Sequence, residues 1–151
     1  MEVEFLVEGT VRELGLDDYD DLLDLWKQAG LHSLKPRGRD SVEAVSRQLA
    51  SGVQTMLGLE IDGRLVGAVV ATHDSRKGWI NRLAVDPAYR RRGYGARLVR
   101  AAEEVLRGQD IRIIAALVEG DNRPSLALFE RCGYAVSSDI HYVSKRENDE
   151  V

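Results

Sequence analysis

Apolar and polar positions alternate at Val3, Phe5, Val7 and Val11 with Gly9 between them, which predicts one bent strand or two short ones. From Asp17 the period lengthens. Tyr19, Leu22, Leu23 and Trp26 fall on one face of a helix that Asp17 and Asp18 open and Gly30 ends. After a loop over residues 31–39 containing Pro36 and Gly38, Asp40 and Glu43 make a capping-box spacing ahead of Val42, Val45 and Leu49, a second helix stopped by Gly52. Two apolar runs between residues 54 and 73 flank Asp62-Gly63, a dipeptide suited to a tight hairpin, and a third run over residues 79–85 ends at Asp86-Pro87. These predict three consecutive antiparallel strands. Leu98, Ala101, Ala102 and Val105 mark a third helix, and the β-branched run over residues 111–118 has the pattern of a strand covered on both faces, parallel to the one before it. Asp121 or Asn122 caps a fourth helix with Pro124 in its first turn, Leu126 and Phe129 inward and Gly133 at its end. Residues 134–145 are expected to close the sheet as a last strand or hairpin, with residues 147–151 a frayed tail.

No repeat, low-complexity tract or linker interrupts this order, so the expectation is one α/β domain over residues 1–151 with its core at about 10–145. The 151 residues are 44% hydrophobic and 30% charged, an ordinary globular balance, and with only 6% aromatics the core must be aliphatic. A net charge of -4 argues against attraction to nucleic acid or anionic membrane, so any anion site has to be local. Acids crowd residues 12–24, whereas Arg90, Arg91, Arg92, Arg97 and Arg100 fall within eleven residues of one another. Cys132 is the only cysteine, and His32, His73 and His141 have no metal-ligand spacing, so no metal is expected. Residues 1–8 are acidic rather than basic, and no apolar run approaches the ~18 residues of a membrane span, which makes the cytoplasm the expected location.

The segment from Arg90 to Gly95 lies between a predicted strand and a predicted helix. At a helix N-terminus the first amides have no intrahelical partner and the peptide dipoles favour negative charge, so a diphosphate suits the place. Gly93 and Gly95 clear side chains from the approach, and the arginines add donors for phosphate oxygens. The segment lacks the Gly-Lys-Ser/Thr of a P-loop and the third glycine of a dinucleotide fingerprint. A solvated arginine-rich turn is the plain alternative.

The stretch Asn81-Arg82-Leu83-Ala84-Val85-Asp86-Pro87-Ala88-Tyr89-Arg90-Arg91-Arg92-Gly93-Tyr94-Gly95-Ala96 resembles, in letters and in placement, the acetyl-CoA motif of the GCN5-related N-acetyltransferases. Asn122 to Tyr134 is similar to the helix that borders the cofactor thiol in that family. The resemblance implies a mixed, mostly antiparallel sheet of about six to seven strands with about four helices, splayed between the fourth and fifth strands, and a homodimeric habit. It implies acetyl-CoA as co-substrate, held by Leu83, Ala84, Val85, Arg90, Arg91, Arg92, Gly93, Tyr94, Gly95, Ala96, Asn122, Ser125 and Phe129. The acceptor it implies is an amine, small or peptide, attacking without a covalent enzyme intermediate. The strand at Leu83–Val85 would splay near Leu117, and the amide near Leu83 would hold the thioester carbonyl. Asn122 would contact the pantetheine arm, cap its helix, or both.

Two positions depart from the family pattern. Many relatives carry a Glu base on the strand before the turn, where this chain has Asn81, which can orient a water or an acceptor but is no strong base. Strand alternation puts Trp79, Asn81 and Leu83 on one face. Relatives commonly place a tyrosine beside the thiol, where this chain has Phe129, so the departing thiolate leaves unaided, takes a proton from water, or is served by Tyr94, Tyr134 or Tyr142. Cys132 near a helix C-terminus is a poor candidate nucleophile. Arg37, Arg39 and Arg82 are either solvated or hold the carboxylate of an amino-acid-like acceptor. The missing Glu and Tyr keep open a second function, a module that binds a CoA thioester without turning it over.

Overall fold

The computed structural model describes residues 9–31 and 33–151. Five strands form one sheet in the order β1-β2-β3-β4-β5. β1 (Thr10–Leu14), β2 (Gln54–Ile61), β3 (Arg64–His73) and β4 (Lys77–Val85) run antiparallel to their neighbours. β5 (Ile113–Ala116) lies parallel to β4. The turn between β2 and β3 takes the form its sequence predicts: Asp62 and Gly63 both have positive φ, 51° and 76°, the geometry whose twist matches that of the flanking strands.

The sheet is covered on both faces. On one side α1 (Tyr19–Gln28) and α2 (Val42–Ala50) bury Leu22, Leu25, Trp26 and Val45 against Met56, Ala68, Val70 and Ala84. On the other, α3 (Tyr94–Gly108) and α4 (Arg123–Arg131) bury Leu98, Val99, Ala102, Leu106 and Phe129 against Leu57, Leu59, Val69, Ala71 and Ile80. Because consecutive strand residues face opposite ways, the central strands must be apolar on both sides, which accounts for the unbroken runs in β2 and β3.

Three expectations need correction. The sheet has five strands among the described residues, because residues 134–151 form no strand; the predicted strand over Val3–Val7 lies outside the described residues. The C-terminal segment accepts hydrogen bonds from Lys35 and Arg39 of the α1–α2 loop instead of pairing with β5, and Val136, Ile140, Tyr142 and Val143 stay exposed. β5 is covered on one face only: Ile114 and Ala116 pack on the α3 core while Ile113 is 60% exposed. The second helix is capped by Ser41, whose Oγ accepts from the Ala44 amide at 3.1 Å, and not by Asp40.

Asp40 has a different task. It is 4% exposed, and its Oδ2 accepts from Arg82 Nη2 at 2.9 Å and from the Lys35 amide at 2.7 Å. The Arg82 guanidinium also lies 5.3 Å over the Trp26 ring, so the loop between α1 and α2 is tied directly to β4. Burial lowers the Arg82 pKa from its ordinary value, against the opposing attraction of Asp40. Removing one partner of a buried pair leaves the other desolvated without compensation. Asp40→Ala is therefore expected to destabilise the fold by about 3 kcal/mol, and Asp40→Ala/Arg82→Met to recover much of that loss, in urea titrations followed by Trp fluorescence. Equal stability of Asp40→Ala and the parent would show the pair to be dispensable.

Candidate active site

The site begins where two neighbouring strands part. β4 and β5 pair from Lys77↔Ile113 to Ile80↔Ala116, and β4 then continues to Val85 with no β5 partner. On its other edge β4 stays hydrogen-bonded to β3, with one irregularity. The register passes from Val70↔Asn81 to Ala68↔Ala84, so Arg82 and Leu83 together oppose the single residue Val69. Arg82 takes up the extra length with φ 53°, a left-handed conformation uncommon for a long side chain. The ion pair and ring contact just described hold it there.

This bulge corrects the expected facing of the strand. Asn81 lies opposite Val70 and donates from Nδ2 to Thr72 Oγ1 at 3.1 Å, on the α1–α2 side, with Trp79 opposite Thr72. Leu83 turns to the opposite side and packs on the α3 core. Strict alternation fails because one residue has been inserted into the pleat. Leu83, Ala84 and Val85 all direct their side chains into the two cores, so what they offer along the parted edge is main chain.

After Val85 the chain is steered by Asp86. This buried carboxylate accepts from the Ala88 amide at 2.9 Å and from Arg64 Nη2 at 3.0 Å, which shapes the short 3-10 turn Pro87–Tyr89. Arg90 donates to the Val85 carbonyl at 3.3 Å and to the Ala29 carbonyl at the end of α1 at 3.1 Å. Arg92 lies over the Tyr89 ring at 5.4 Å. Arg91 and Gly93 both have left-handed φ, 64° and 82°, and successive residues of alternating hand turn their amides toward a common concavity. Residues 90–93 are exposed.

α3 starts directly after Gly93, which provides no side chain to cap it, and a Cβ at position 93 would meet nothing within 4 Å. The space an anion needs is therefore open. Gly95 has another reason for being small: a Cβ there would lie 3.0 Å from Leu128 Cδ2, so this glycine lets α4 approach α3. Ala96 is in the first turn and Tyr94 is buried in the core. Arg97 donates to the Gly9 carbonyl and Arg100 to the Ala96 carbonyl.

At α4, Asn122 caps the helix, its Oδ1 accepting from the Ser125 amide at 3.3 Å. Phe129 is 6% exposed and meets Tyr134 edge to face at 5.1 Å. The Tyr134 hydroxyl donates to Glu103 Oε2 at 2.8 Å; burial first, and this carboxylate second, push its pKa upward. Cys132 is also pushed up, by burial and then by Glu103, so the thiolate is disfavoured. Tyr142 is exposed. Arg39 comes close to Arg82: Arg39 donates to the Ser33 carbonyl at 2.9 Å and Arg82 to the Ser33 hydroxyl at 3.5 Å, while Arg82 also pairs with Asp40. Arg37 points instead to Glu150, and Arg39 reaches Val151 as well. Sequence reasoning missed Asp40 and Asp86, the buried carboxylates that hold the α1–α2 loop and the arginine turn, because Asp40 stands in a capping-box spacing and Asp86 stands where a strand ends. Among the described residues no cluster of three or more His, Cys, Asp or Glu is gathered, and no helix is long and apolar enough to cross a membrane.

Residues 19–134 match the family model described as "Acetyltransferase (GNAT) family". An acetyltransferase of Yersinia pestis (strain Pestoides F) is 26% identical over 130 residues, which cover 86% of this chain and 90% of the relative. Among solved structures, the PaiA N-acetyltransferase of Thermoplasma acidophilum in complex with coenzyme A superposes with a TM-score of 0.75 at 19% identity, over 87% of this chain and 92% of that one. The aminoglycoside antibiotic 6'-N-acetyltransferase of Acinetobacter haemolyticus superposes with a TM-score of 0.74 at 20% identity, over 92% and 99%. A parallel β4–β5 pair that ends halfway along β4, a left-handed turn feeding α3 and a match spanning most of the chain agree with one another: the protein belongs to the acetyltransferase (GNAT) family.

Proposed function

We propose that the protein transfers an acetyl group from acetyl-CoA to a primary amine by direct attack. The observation that carries this is the parting of β4 from β5 beyond Ile80, immediately ahead of the exposed left-handed turn at residues 90–93. The residues suit the co-substrate. A pyrophosphate needs convergent donors and unobstructed approach, which the uncapped start of α3 and the open space at Gly93 provide. An amide-bearing arm needs an unpaired strand edge, which β4 provides between Asn81 and Val85.

Acetyl-CoA supplies the activated acyl group as a thioester. The Leu83 main chain orients its carbonyl and stabilises the negative charge that develops there as the amine nitrogen bonds to carbon and the carbon–sulfur bond breaks. With no carboxylate at position 81, the Asn81 amide, steadied by Thr72, positions the acceptor or a water that carries its proton away. Phe129 encloses the departing sulfur in apolar surface and donates no proton, so water serves the thiolate. Orientation and main-chain electrostatics then account for most of the acceleration. The acceptor class extends to small amines and peptide amines. A CoA-thioester sensor without turnover is the second reading, favoured by Asn81 standing where a base is expected. The two part in one assay: release of free thiol on adding a panel of amines supports transfer, and binding without release supports sensing.

Gly93→Asp places a carboxylate against the phosphates, and is expected to weaken CoA binding by more than ~10-fold in calorimetric titration. Gly93→Asn imposes the same backbone strain without charge and should lose far less. If the two variants bound equally, or Gly93→Asp matched the parent, the phosphate assignment would fall. Phe129→Tyr is expected to keep or raise kcat with acetyl-CoA and a reactive amine. A large loss at unchanged melting temperature would show instead that the apolar ring is required for sulfur placement.

A further inference from the structure

The last residues of the chain lie on the loop between α1 and α2. Lys35 Nζ donates to the Asp149 carbonyl at 2.7 Å, Arg37 Nη1 approaches the Glu150 carboxylate at 3.4 Å, and Arg39 Nη1 donates to the main-chain oxygen of Val151 at 3.4 Å. Arg146 donates to that same oxygen at 2.8 Å. The charges are complementary, since residues 147–150 contain Glu147, Asp149 and Glu150. Shape agrees with charge. A Cβ on Gly38 would run into the Glu150 carbonyl and the Val151 Cα, yet Gly38 is not left-handed, so its own backbone does not demand glycine. The missing side chain makes room for the segment.

The same loop borders the parted strand. Asp40 pairs with Arg82, Arg82 precedes Leu83 in the bulge, and Arg39 donates to the Ser33 carbonyl at 2.9 Å. We infer that the Lys35–Arg39 loop is a binding site for an acidic peptide segment on the acceptor side of the catalytic cleft, filled here by the chain's own residues 149–151. An anionic acceptor must displace them; this last step rests on the proposed amine transfer, whereas the peptide site itself does not.

Displacement is energetically accessible. The one ion pair here, Arg37 with Glu150, is exposed and contributes about 0.2–1 kcal/mol, and Lys35 and Arg39 add hydrogen bonds to main-chain oxygens, so the contact is held chiefly by tethering. A tether presents the segment at an effective concentration of roughly millimolar, which an acceptor of moderate affinity overcomes.

Residues 147–151 belong to neither core and to no helix or strand, so a chain ending at Arg146 retains the fold described above. The test is anisotropy of a fluorescein-labelled peptide Lys-Arg-Glu-Asn-Asp-Glu-Val titrated with the full chain, the shortened chain, and the shortened chain carrying Gly38→Ala or Lys35→Glu/Arg37→Glu. CoA affinity and melting temperature are measured for each. The shortened chain is expected to bind the peptide more tightly than the full chain, and either further change should abolish that gain. CoA affinity should stay the same throughout. Equal binding by full and shortened chains, or a gain that survives Gly38→Ala, would overturn the inference; loss of CoA binding in the parent would instead count against the cofactor assignment alone.

Discussion

One long side chain in an unfavourable backbone conformation organises this molecule. Arg82 sits in the left-handed region within a strand, where residues other than glycine are seldom found. It persists because its guanidinium pairs with the buried Asp40 and covers Trp26, contacts made together only if β4 carries an extra residue at this point. The bulge follows, and with it the separation of Asn81 and Leu83 onto opposite faces. The ladder to β5 has already ended one residue before Asn81. Strain in β4, the opening beside it and the placement of the α1–α2 loop are thus one mechanical arrangement.

The arginine cluster has a double character. Arg90 clamps Val85 to the end of α1, Arg92 stacks on Tyr89, and Arg97 holds the start of β1. These contacts shape the turn without any ligand, so under the proposed function its donors are set out in advance and little ordering cost remains for binding. The two glycines also divide their work: Gly93 keeps the approach open and accepts left-handed geometry, while Gly95 lets α4 lie close to α3. A single short motif therefore encodes an open left-handed turn and a helix contact.

The C-terminal segment is the part of the chain least tied to this frame. Val136, Ile140, Tyr142 and Val143 remain in solvent, and residues 149–151 meet the basic loop. Electrostatic attraction over a few exposed contacts has governed its path, in contrast to the hydrophobic burial that positions every helix.

Much of the architecture was legible in local patterning. The helical periods around Trp26, Val45 and Leu98, the Asp62-Gly63 turn and the run from Asn81 to Ala96 each express a constraint spanning a few residues, and such constraints are written in adjacent letters. They determined the order of elements from Thr10 to Arg131 and the place of the turn that feeds α3. Tertiary structure alone decided the rest. That Asp40 meets Arg82 across more than forty residues, that Leu83 faces away from Asn81, that Gly95 answers to Leu128, and that residues 149–151 return to Lys35 are consequences of elements meeting in space. A buried charge takes whichever partner the fold brings within reach, and a strand's facing changes wherever one residue is inserted, so neither could be settled by a pattern that compares only near neighbours.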